Sequence, residues 1–503
     1  MSIFRRNQVN SSLERPKFKV KISPKNPWFW LLTLTFVVLT SWLPAMAGTA
    51  RHYTDLTFPT LPAIKLPDYE RYQLKNGMIL YLMPDKELPL VSGSAIIRTG
   101  DRWEPDPKVG LADLVGTVMR TGGTKQHSPD ELNQLLEQKA ASVETGIGKT
   151  SGSISFSALS EDLPEVFSLF TEVLREPVFD QAKLDLAKKQ TSGQIARRND
   201  DPNDIAGREF EKLIYGDRSP YARTIEYSTL VNISRQDLLD FYQQYYHPNN
   251  MIVGIVGDFD STKIRQLIED KLGDWQPNPD LQLPPLPPVE QVKQGGIFFV
   301  DRPDLSQSSI HIGHLGGQLN SPDYAALSTM NGLMNGFGGR LFNQVRSRQG
   351  LAYSVYGYWS PEFDYPGTFI AAGQSRSDAT VPFITAVLGE IKRLRSEPIT
   401  AAELAYAKES VLNSFVFNFQ KPGQTLSRLM RYEYYGYPSD FIFQYQAAVA
   451  ATTVADVQRV AQKYLQPEKL VTLVVGNGKT IQPPLSSLGS EVTAIDVTIP
   501  SPS

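Results

Sequence analysis

The sequence is short of the residues on which much enzyme chemistry depends. Its 503 residues contain no cysteine and only five histidines. A chain without cysteine has no disulfide, no thiolate metal ligand and no thiol nucleophile. No Gly-x-Ser-x-Gly stretch occurs either, so the usual turn around a hydrolase serine is missing. The folded state therefore depends on burial and not on disulfides.

None of the five histidines has the spacing that suits a metal site on a helix. They are His52, His127, His247, His311 and His314. His311 and His314 fall in a predicted strand, where residues three apart point to opposite faces. His247 precedes a proline at a predicted helix-to-strand turn, and His127 lies beside two glycines in a predicted loop. The chain therefore offers no helical histidine pair.

Neither sign of charge is in large excess, with 53 acidic and 50 basic residues and a formal net charge of −3. Residues 1–47 nevertheless contain seven Lys and Arg residues and a single acid, Glu14. The rest of the chain is correspondingly acidic, which argues against a nucleic-acid partner.

The first 47 residues have the pattern of an export signal. A basic stretch precedes an apolar run over residues 28–43, and Ala45-Met46-Ala47 follows it. The run is shorter than the ~20 residues that usually span a bilayer. This order predicts a secretory signal peptide cut after Ala47, and the alternative is an uncleaved N-terminal membrane anchor. In both cases we expect the main body to be exported, to a periplasmic or other extracytoplasmic space.

The length exceeds what one hydrophobic core usually serves, so we expect at least two domains. Between Trp275 and Val289 there are six prolines. Proline at this density excludes a helix or a central strand and predicts a semi-rigid linker. Asn76-Gly77, between apolar stretches, predicts a tight hairpin at the start of the first domain. The predicted segments are a lead-in over 48–68, an N-terminal domain over 69–274, a linker over 275–295, a C-terminal domain over 296–478 and a flexible tail over 479–503.

The two predicted domains are similar to each other. Residues 237–257 read as an amphipathic helix, a proline and an apolar strand closed by glycine, and the same order returns at residues 456–476, a constant offset of 219. Residues 177–188 match 398–408 at an offset of about 220. Two matches at nearly the same offset indicate an internal duplication. The predicted fold is therefore α+β, with two copies of one mixed α/β domain.

Several stretches resemble the marker motifs of one peptidase family. They run from Leu74 to Met78, Arg98 to Pro105, Gly110 to Ala112, Tyr246 to Val253 and Gly339 to Tyr353. Over residues 66–478 the chain resembles the pitrilysin or insulinase metallopeptidases, the inverzincins, which include the mitochondrial processing peptidases. The resemblance implies two homologous lobes that face each other across a chamber, with zinc held by the N-terminal lobe.

The residues that bind zinc in this family are not matched in this chain. The family places His-x-x-Glu-His on a helix, so that two imidazoles reach one metal and the glutamate acts as general base. The matching positions here are Asp113, Gly116 and Thr117, and Gln194 stands where a downstream helix supplies a third ligand, a glutamate. Thr117 and Gln194 are poor zinc ligands, and Gly116 transfers no proton. We therefore expect no metal on this chain and no zinc-dependent hydrolysis by it alone.

The second half, in contrast, matches the family's substrate-binding residues. An Arg and a Tyr of the C-terminal lobe hold the substrate backbone and polarise the scissile carbonyl in these peptidases. The resemblance places these roles on Arg346 and Tyr353, which are donors suited to a developing oxyanion. Alternatively, Arg346 forms a surface ion pair and Tyr353 packs at a strand start. Arg348 is the competing residue if the register differs by two.

The resemblance therefore implies a divided function. Some family members work as pairs, in which one subunit carries the zinc helix and the other supplies the Arg/Tyr lobe. We expect this chain to be the non-catalytic subunit of an exported heterodimeric zinc peptidase, with zinc and the intact motif on a homologous partner and with peptides as substrates. One alternative is a stand-alone peptide-binding or scaffold protein. Another is a zinc endopeptidase with altered ligands.

Overall fold

The computed structural model describes residues 64–501. The predicted signal segment and residues 48–63 of the lead-in lie outside the described residues. The chain from Lys65 onward forms one compact unit. No helix in the described range is long and apolar enough to cross a membrane.

The described chain alternates strands and helices. The strands are β1 (Glu70–Gln73), β2 (Ile79–Pro84), β3 (Leu90–Ile97), β4 (Ser142–Ile147), β5 (Gly152–Leu159), β6 (Met251–Gly257), β7 (Gly296–Asp301), β8 (Gln307–Leu315), β9 (Ala352–Ser360), β10 (Thr368–Arg376), β11 (Val471–Gly476) and β12 (Val492–Ala494). The helices are α1 (Leu111–Thr121), α2 (Pro129–Gln138), α3 (Leu163–Arg175), α4 (Gln181–Arg197), α5 (Pro202–Tyr215), α6 (Tyr227–Val231), α7 (Arg235–Tyr245), α8 (Ser261–Leu272), α9 (Tyr324–Met334), α10 (Thr380–Ser396), α11 (Ala401–Asn413), α12 (Pro422–Tyr435), α13 (Phe441–Ala451) and α14 (Val454–Tyr464).

The strands form two six-stranded sheets that share the arrangement of five strands, and the sixth strand differs, because β1 is antiparallel to β2 whereas β12 is parallel to β7. The first has the order β1-β2-β6-β3-β5-β4 and the second β12-β7-β11-β8-β10-β9. In each sheet one central pair is parallel (β2 with β6, β7 with β11) and the three pairs that follow towards β4 or β9 are antiparallel. The predicted mixed α/β fold with two homologous lobes is therefore confirmed.

The repeat found in the sequence corresponds to matching elements. Helix α7 and strand β6 of the first lobe correspond to α14 and β11 of the second. Both helices begin with the same capping box, in which Ser234 pairs with Asp237 and Thr453 pairs with Asp456. Every residue of β6 and of β11 is buried, because both strands lie in the middle of a sheet that is covered on both faces.

One helix of each lobe covers the sheet of the other lobe. Helix α5 packs on β8 and β11 of the second sheet, where Phe210 and Ile214 lie in a core cluster with Leu473 and Val475. Helix α12 packs in return on the first sheet, mainly on β6. Its cluster contains Leu426, Leu429, Met430 and Tyr434 from the helix, and Tyr81, Met83, Ile252 and Val256 from the sheet. The exchange buries the second face of each sheet.

The connection between β9 and β10 adds polar and aromatic contacts between the lobes. Asp364 in this connection accepts a hydrogen bond from Arg102 Nη1 at 2.8 Å, and the Arg102 side chain is only 3% exposed. The ring of Tyr365 stacks on Tyr221 with centroids 4.2 Å apart. The two lobes are therefore in contact through apolar, aromatic and ionic interactions.

The connecting segments differ partly from the sequence-based expectation. The hairpin at Asn76-Gly77 is confirmed, since β1 and β2 pair antiparallel around it and Gly77 has a positive φ of 90°. Residues 275–295 contain no helix or strand. The expectation of a flexible tail over 479–503 is wrong for its described part. Apolar side chains fix it: Ile481 is buried in the second core, and β12 pairs with β7.

Candidate functional site

The first candidate site surrounds helix α1, which carries three of the four degenerate zinc positions. An apolar stripe of Leu111, Leu114, Val115 and Val118 buries the helix against β4. The buried carboxylate of Glu104 accepts hydrogen bonds from the backbone N–H groups of Gly110 and Ala112. Glu104 therefore acts as the N-terminal cap of α1, which has no other side-chain cap.

Gly116 marks the closest approach of α1 to the sheet. A Cβ atom at this position would lie 2.8 Å from the backbone nitrogen of Ile147 and 2.9 Å from the Cα of Gly146. Both neighbours are backbone atoms of β4, so the contact cannot be relieved by turning a side chain. The hydroxyl of Thr145 donates to the carbonyl of Gly116 at 2.5 Å and fixes the same contact. The position that matches the general base of the family therefore has no room for a side chain.

The remaining zinc positions do not make a metal site. Asp113 is exposed and Thr117 is half-buried on α1, while Gln194 is exposed on α4, which packs beside α1. Across residues 64–501 no three His, Cys, Asp or Glu side chains converge as metal ligands. One weak carboxylate, one hydroxyl and one amide do not match the donors that zinc prefers. The side chains present therefore do not fit zinc.

A pocket of about 360 Å³ remains next to these positions. Asp113 opens into it, together with Asp101, Glu104 and Lys149. Burial among surrounding protein atoms raises the pKa of Asp101, and it raises the pKa of Glu104 to about 7. The pocket therefore contains carboxyl groups that hold their protons more tightly than usual, without a base aligned to a metal.

The four histidines of the described residues are separate from one another, and His52 lies outside the described residues. Strand β8 is confirmed, and its two histidines point to opposite faces as expected: His311 contacts Phe210, whereas His314 Nε2 accepts a hydrogen bond from the backbone of Gln466 at 3.2 Å. Burial lowers the pKa of His311 to about 4. His127 Nδ1 lies 2.8 Å from a carboxylate oxygen of Glu172.

The second candidate site brings Arg346 and Tyr353 together. Arg346 lies in a π-helical segment, Phe342–Arg348, and its guanidinium carbon is 4.8 Å from the ring centroid of Phe342 and 4.9 Å from that of Tyr353. Tyr353 is 80% exposed. No carboxylate in the described range is within ion-pair distance of Arg346. The structure thus places the two residues side by side at the surface, with neither an ion pair nor a packed tyrosine.

The local backbone explains why Tyr353 is exposed. Strand β9 pairs with β10 so that Ser375 faces Ala352 and Gln374 faces Ser354, which leaves Tyr353 as an extra residue in a β-bulge. A bulge redirects a side chain and is common beside active sites, as are π-helical turns. Arg348, the competing residue, is exposed and donates to Gln344 at 3.3 Å. Within residues 64–501, the ring of Tyr353 has a cation–π contact with Arg346 and none with Arg348.

Two features of these sites were missed by sequence reasoning. Glu104 belongs to the marker stretch from Arg98 to Pro105. Its role as a helix cap could not be seen in the sequence, because it depends on the fold that places its carboxylate next to Gly110. Arg223 holds the same loop, donating to the carbonyls of Asp101 at 2.6 Å and Glu104 at 2.9 Å. The signal that the sequence offered for this cap was the position of Glu104, six residues before Gly110 at the start of the helix.

Two models of known protein families match the chain. The model described as Insulinase (Peptidase family M16) matches residues 87–220, and that described as Peptidase M16 inactive domain matches residues 232–411. Together they span more than half of the chain. This chain belongs to the M16 peptidase family. The first match lies within the first lobe, and the second begins near the end of that lobe and extends into the second.

Among the curated relatives, one is named as a zinc protease and another as a non-peptidase homolog. The chain is 22% identical over 363 residues to an uncharacterized zinc protease, YmxG, of Bacillus subtilis, covering 71% of this chain and 86% of the relative. It is also 22% identical over 414 residues to a non-peptidase homolog, YmxG, of Helicobacter pylori, covering 78% of this chain and 90% of the relative.

Solved M16-like structures share the fold. A peptidase M16 inactive domain from Pseudomonas fluorescens superposes with a TM-score of 0.71 at 23% identity, over 82% of this chain and 98% of that one. The periplasmic protease PqqL of Escherichia coli superposes with a TM-score of 0.69 at 17% identity, over 91% of this chain and 51% of PqqL.

Proposed function

We propose that this M16 protein is the non-catalytic subunit of an exported heterodimeric zinc peptidase. It pairs with a homologous subunit that carries His-x-x-Glu-His, and zinc is bound by that partner. This chain contributes Arg346 and Tyr353 to the composite site, where they hold a peptide and polarise the carbonyl that is attacked.

The observation that carries the proposal is the unequal state of the two sites in one chain. At the first, the position of the general base is closed by backbone, because a Cβ on Gly116 would lie 2.8 Å from Ile147 N. At the second, Arg346 and Tyr353 are adjacent, and Tyr353 is 80% exposed. A guanidinium and a phenol at the surface are available to a group supplied from outside the chain.

A sheet edge supplies a way to hold the peptide. Strand β9 lies at the end of the second sheet, and among the described residues β10 is the one strand that pairs with it. The outer backbone groups of Gly357 and Trp359 are hydrogen-bonded to the side chains of Asn335 and Asn331, so an added strand would use the half of β9 nearer Tyr353. An extended peptide binds such an edge as an added strand. Because Tyr353 lies in β9, a peptide on that edge passes beside the Arg346–Tyr353 pair.

Export is part of the same proposal. The basic stretch, the apolar run over residues 28–43 and Ala45-Met46-Ala47 form the signal pattern. The similarity to a protein named as a periplasmic protease supports the same compartment. The substrates are accordingly peptides outside the cytoplasm.

Reconstitution with the natural partner tests the proposal. The purified chain is mixed with a His-x-x-Glu-His homologue from the same cell, and cleavage of a quenched fluorescent peptide is followed. Wild-type chain should activate cleavage, and Arg346→Ala should lower kcat by about 100-fold, as expected for loss of one oxyanion donor. Arg348→Ala serves as the matched control on the same turn and should keep the activity.

The other outcomes separate the alternatives. If the chain binds the peptide but never changes the rate, it is a peptide-binding or scaffold protein, and the subunit proposal is wrong. If the chain alone cleaves the peptide and metal analysis finds stoichiometric zinc, it is a peptidase with altered ligands. An equal loss of activity in Arg348→Ala would move the role from Arg346 to Arg348.

A further inference from the structure

A cleft in the C-terminal half is separate from both sites above. It has a volume of about 770 Å³ and is bounded by the first residue of α9, the connection from α11 to α12, and the start of α13. The Arg346 segment follows the other end of α9. None of the residues that line the cleft belongs to the segment Phe342–Arg348, to Tyr353 or to the pocket beside α1. The cleft is therefore a second surface of the C-terminal half.

The charges of this cleft all have one sign. Lys421, Arg428 and Arg431 line it, and no Asp or Glu residue does. Arg428 is committed to the protein, since it donates to the carbonyl of Asn418 at 3.0 Å and to its side chain at 2.7 Å. Lys421 and Arg431 are exposed and have no carboxylate of residues 64–501 within ion-pair distance. Two cations thus remain available to a ligand.

The walls of the cleft are aromatic. Tyr324 stacks on Tyr445 with centroids 4.9 Å apart, and Phe441 packs edge-on against Tyr432 at 5.5 Å. At the rim Phe417 is 58% exposed. Aromatic faces beside guanidinium groups favour apolar or aromatic side chains that stand next to anions.

Neutral polar side chains complete the lining. Ser414, Gln424 and Ser427 are exposed along the cleft and carry both donors and acceptors. Such groups match the alternating N–H and C=O groups of a peptide backbone, whereas an alkyl chain leaves them without partners. The volume lies within the range of about 300–1,000 Å³ that is usual for ligand sites.

We propose that this cleft binds an acidic peptide segment that contains aromatic or aliphatic side chains. Its carboxylates pair with Lys421 and Arg431, and its apolar side chains lie against Tyr324, Phe417 and Phe441. The interaction requires neither the zinc-bearing partner nor Arg346 and Tyr353, so it can be tested independently of the proposed function.

Fluorescence anisotropy of the full chain with two probes tests this assignment. One probe is a labelled, end-capped Asp-Phe-Glu-Leu-Asp-Phe peptide, and the other has lysine at every acidic position. The acidic probe should bind, its affinity should fall as salt is raised, and the lysine probe should bind at least tenfold more weakly. Exposed ion pairs contribute about 0.2–1 kcal/mol each, so Lys421→Ala/Arg431→Ala should weaken the acidic probe by roughly tenfold.

Matched variants exclude a general charge effect. Lys392→Ala removes an exposed cation from α10, away from the cleft, and should leave the affinity unchanged, whereas Phe417→Ser should reduce it. Circular dichroism of each variant should match that of the wild-type chain. The proposal is wrong if the lysine probe binds equally well, if the double variant retains full affinity, or if dodecyl sulfate binds the cleft and the acidic peptide does not.

Discussion

The guanidinium of Arg346 lies over the ring of Tyr353, with 4.9 Å between its central carbon and the ring centroid. A cation in this position over an aromatic face is held by electrostatic attraction to the ring. The contact orients both groups towards the same side of the C-terminal lobe. Loss of the ring and loss of the phenol oxygen should therefore have different effects.

Substitutions of Tyr353 separate these two effects in the reconstituted complex. Tyr353→Phe keeps the ring under Arg346 and removes only the hydroxyl, so kcat should fall by about tenfold or more while KM stays close to wild type. Tyr353→Leu also removes the support of Arg346 and should lower kcat further. Tyr358→Phe, an exposed tyrosine on the same strand, is the control. Equal activity of Tyr353→Phe and wild type would remove the phenol from the mechanism.

The contact of Gly116 with β4 predicts a stability effect. Gly116→Ala puts a methyl group 2.8 Å from Ile147 N, and crowding of this kind costs about 1–3 kcal/mol. The control is Gly193→Ala in α4, where nothing lies within 4 Å of the added Cβ, so the free energy of unfolding should rise by up to about 1 kcal/mol. Urea unfolding measures both. Equal midpoints for the two variants would contradict the close contact.

The same contact predicts that the zinc motif cannot be restored simply. A triple variant, Asp113→His, Gly116→Glu and Thr117→His, introduces the missing residues but forces a glutamate against backbone. We expect it to be destabilised and to bind less than stoichiometric zinc, as measured by metal analysis after gel filtration. Stoichiometric zinc in a stable triple variant would show that β4 moves easily away from α1.

The buried cap of α1 predicts a pH dependence of stability. Burial raises the pKa of Glu104 from 4.5 to about 7. A carboxyl group with a raised pKa binds its proton more tightly in the folded state, so its contribution to stability is full at low pH and is lost as the pH rises towards 7. At about 1.4 kcal/mol per pH unit, the loss approaches about 3 kcal/mol.

Glu104→Gln isolates this contribution. The difference in unfolding free energy between wild type and Glu104→Gln should decrease steadily from pH 5 to pH 7, because glutamine does not titrate. Glu211→Gln, an exposed acid of the same pocket, should follow the wild-type curve. A difference that stays constant over this range would show that Glu104 keeps an ordinary pKa.

The ion pair between the lobes predicts that a single substitution lowers the free energy of unfolding more than the double substitution does. Arg102 and Asp364 are 2.8 Å apart, with side chains 3% and 19% exposed. Arg102→Met leaves a shielded carboxylate unpaired and should cost about 3–5 kcal/mol. The double variant Arg102→Met/Asp364→Leu should lose clearly less free energy of unfolding than Arg102→Met. The exposed pair of Arg376 and Asp378 gives the control cycle, for which we expect less than about 1 kcal/mol.

The division into two similar mixed α/β lobes followed from sequence because its signals are local. The helix, proline and apolar strand of residues 237–257 and 456–476 repeat at one offset, and each pattern is set by neighbouring residues. The same holds for the hairpin at Asn76-Gly77. The loss of the zinc motif was also readable, since it concerns residue types at known positions.

The exchange of helices was not readable from sequence. The apolar face of α5 shows that the helix is covered on one side, but periodicity does not say which sheet covers it. The order of the tail was missed for a similar reason, since β12 is short and depends on β7 for its pairing. At the sites, the contact of Gly116 with Ile147 and the bulge at Tyr353 arise from tertiary packing, which residue identity alone does not specify.

The crossed helices also decide what happens if the proline-rich connection is cut. In each fragment, one helix would still pack on the apolar face of the sheet in the other fragment. A protease that cleaves between residues 275 and 295 would thus yield a nicked molecule that migrates as one species until it is denatured.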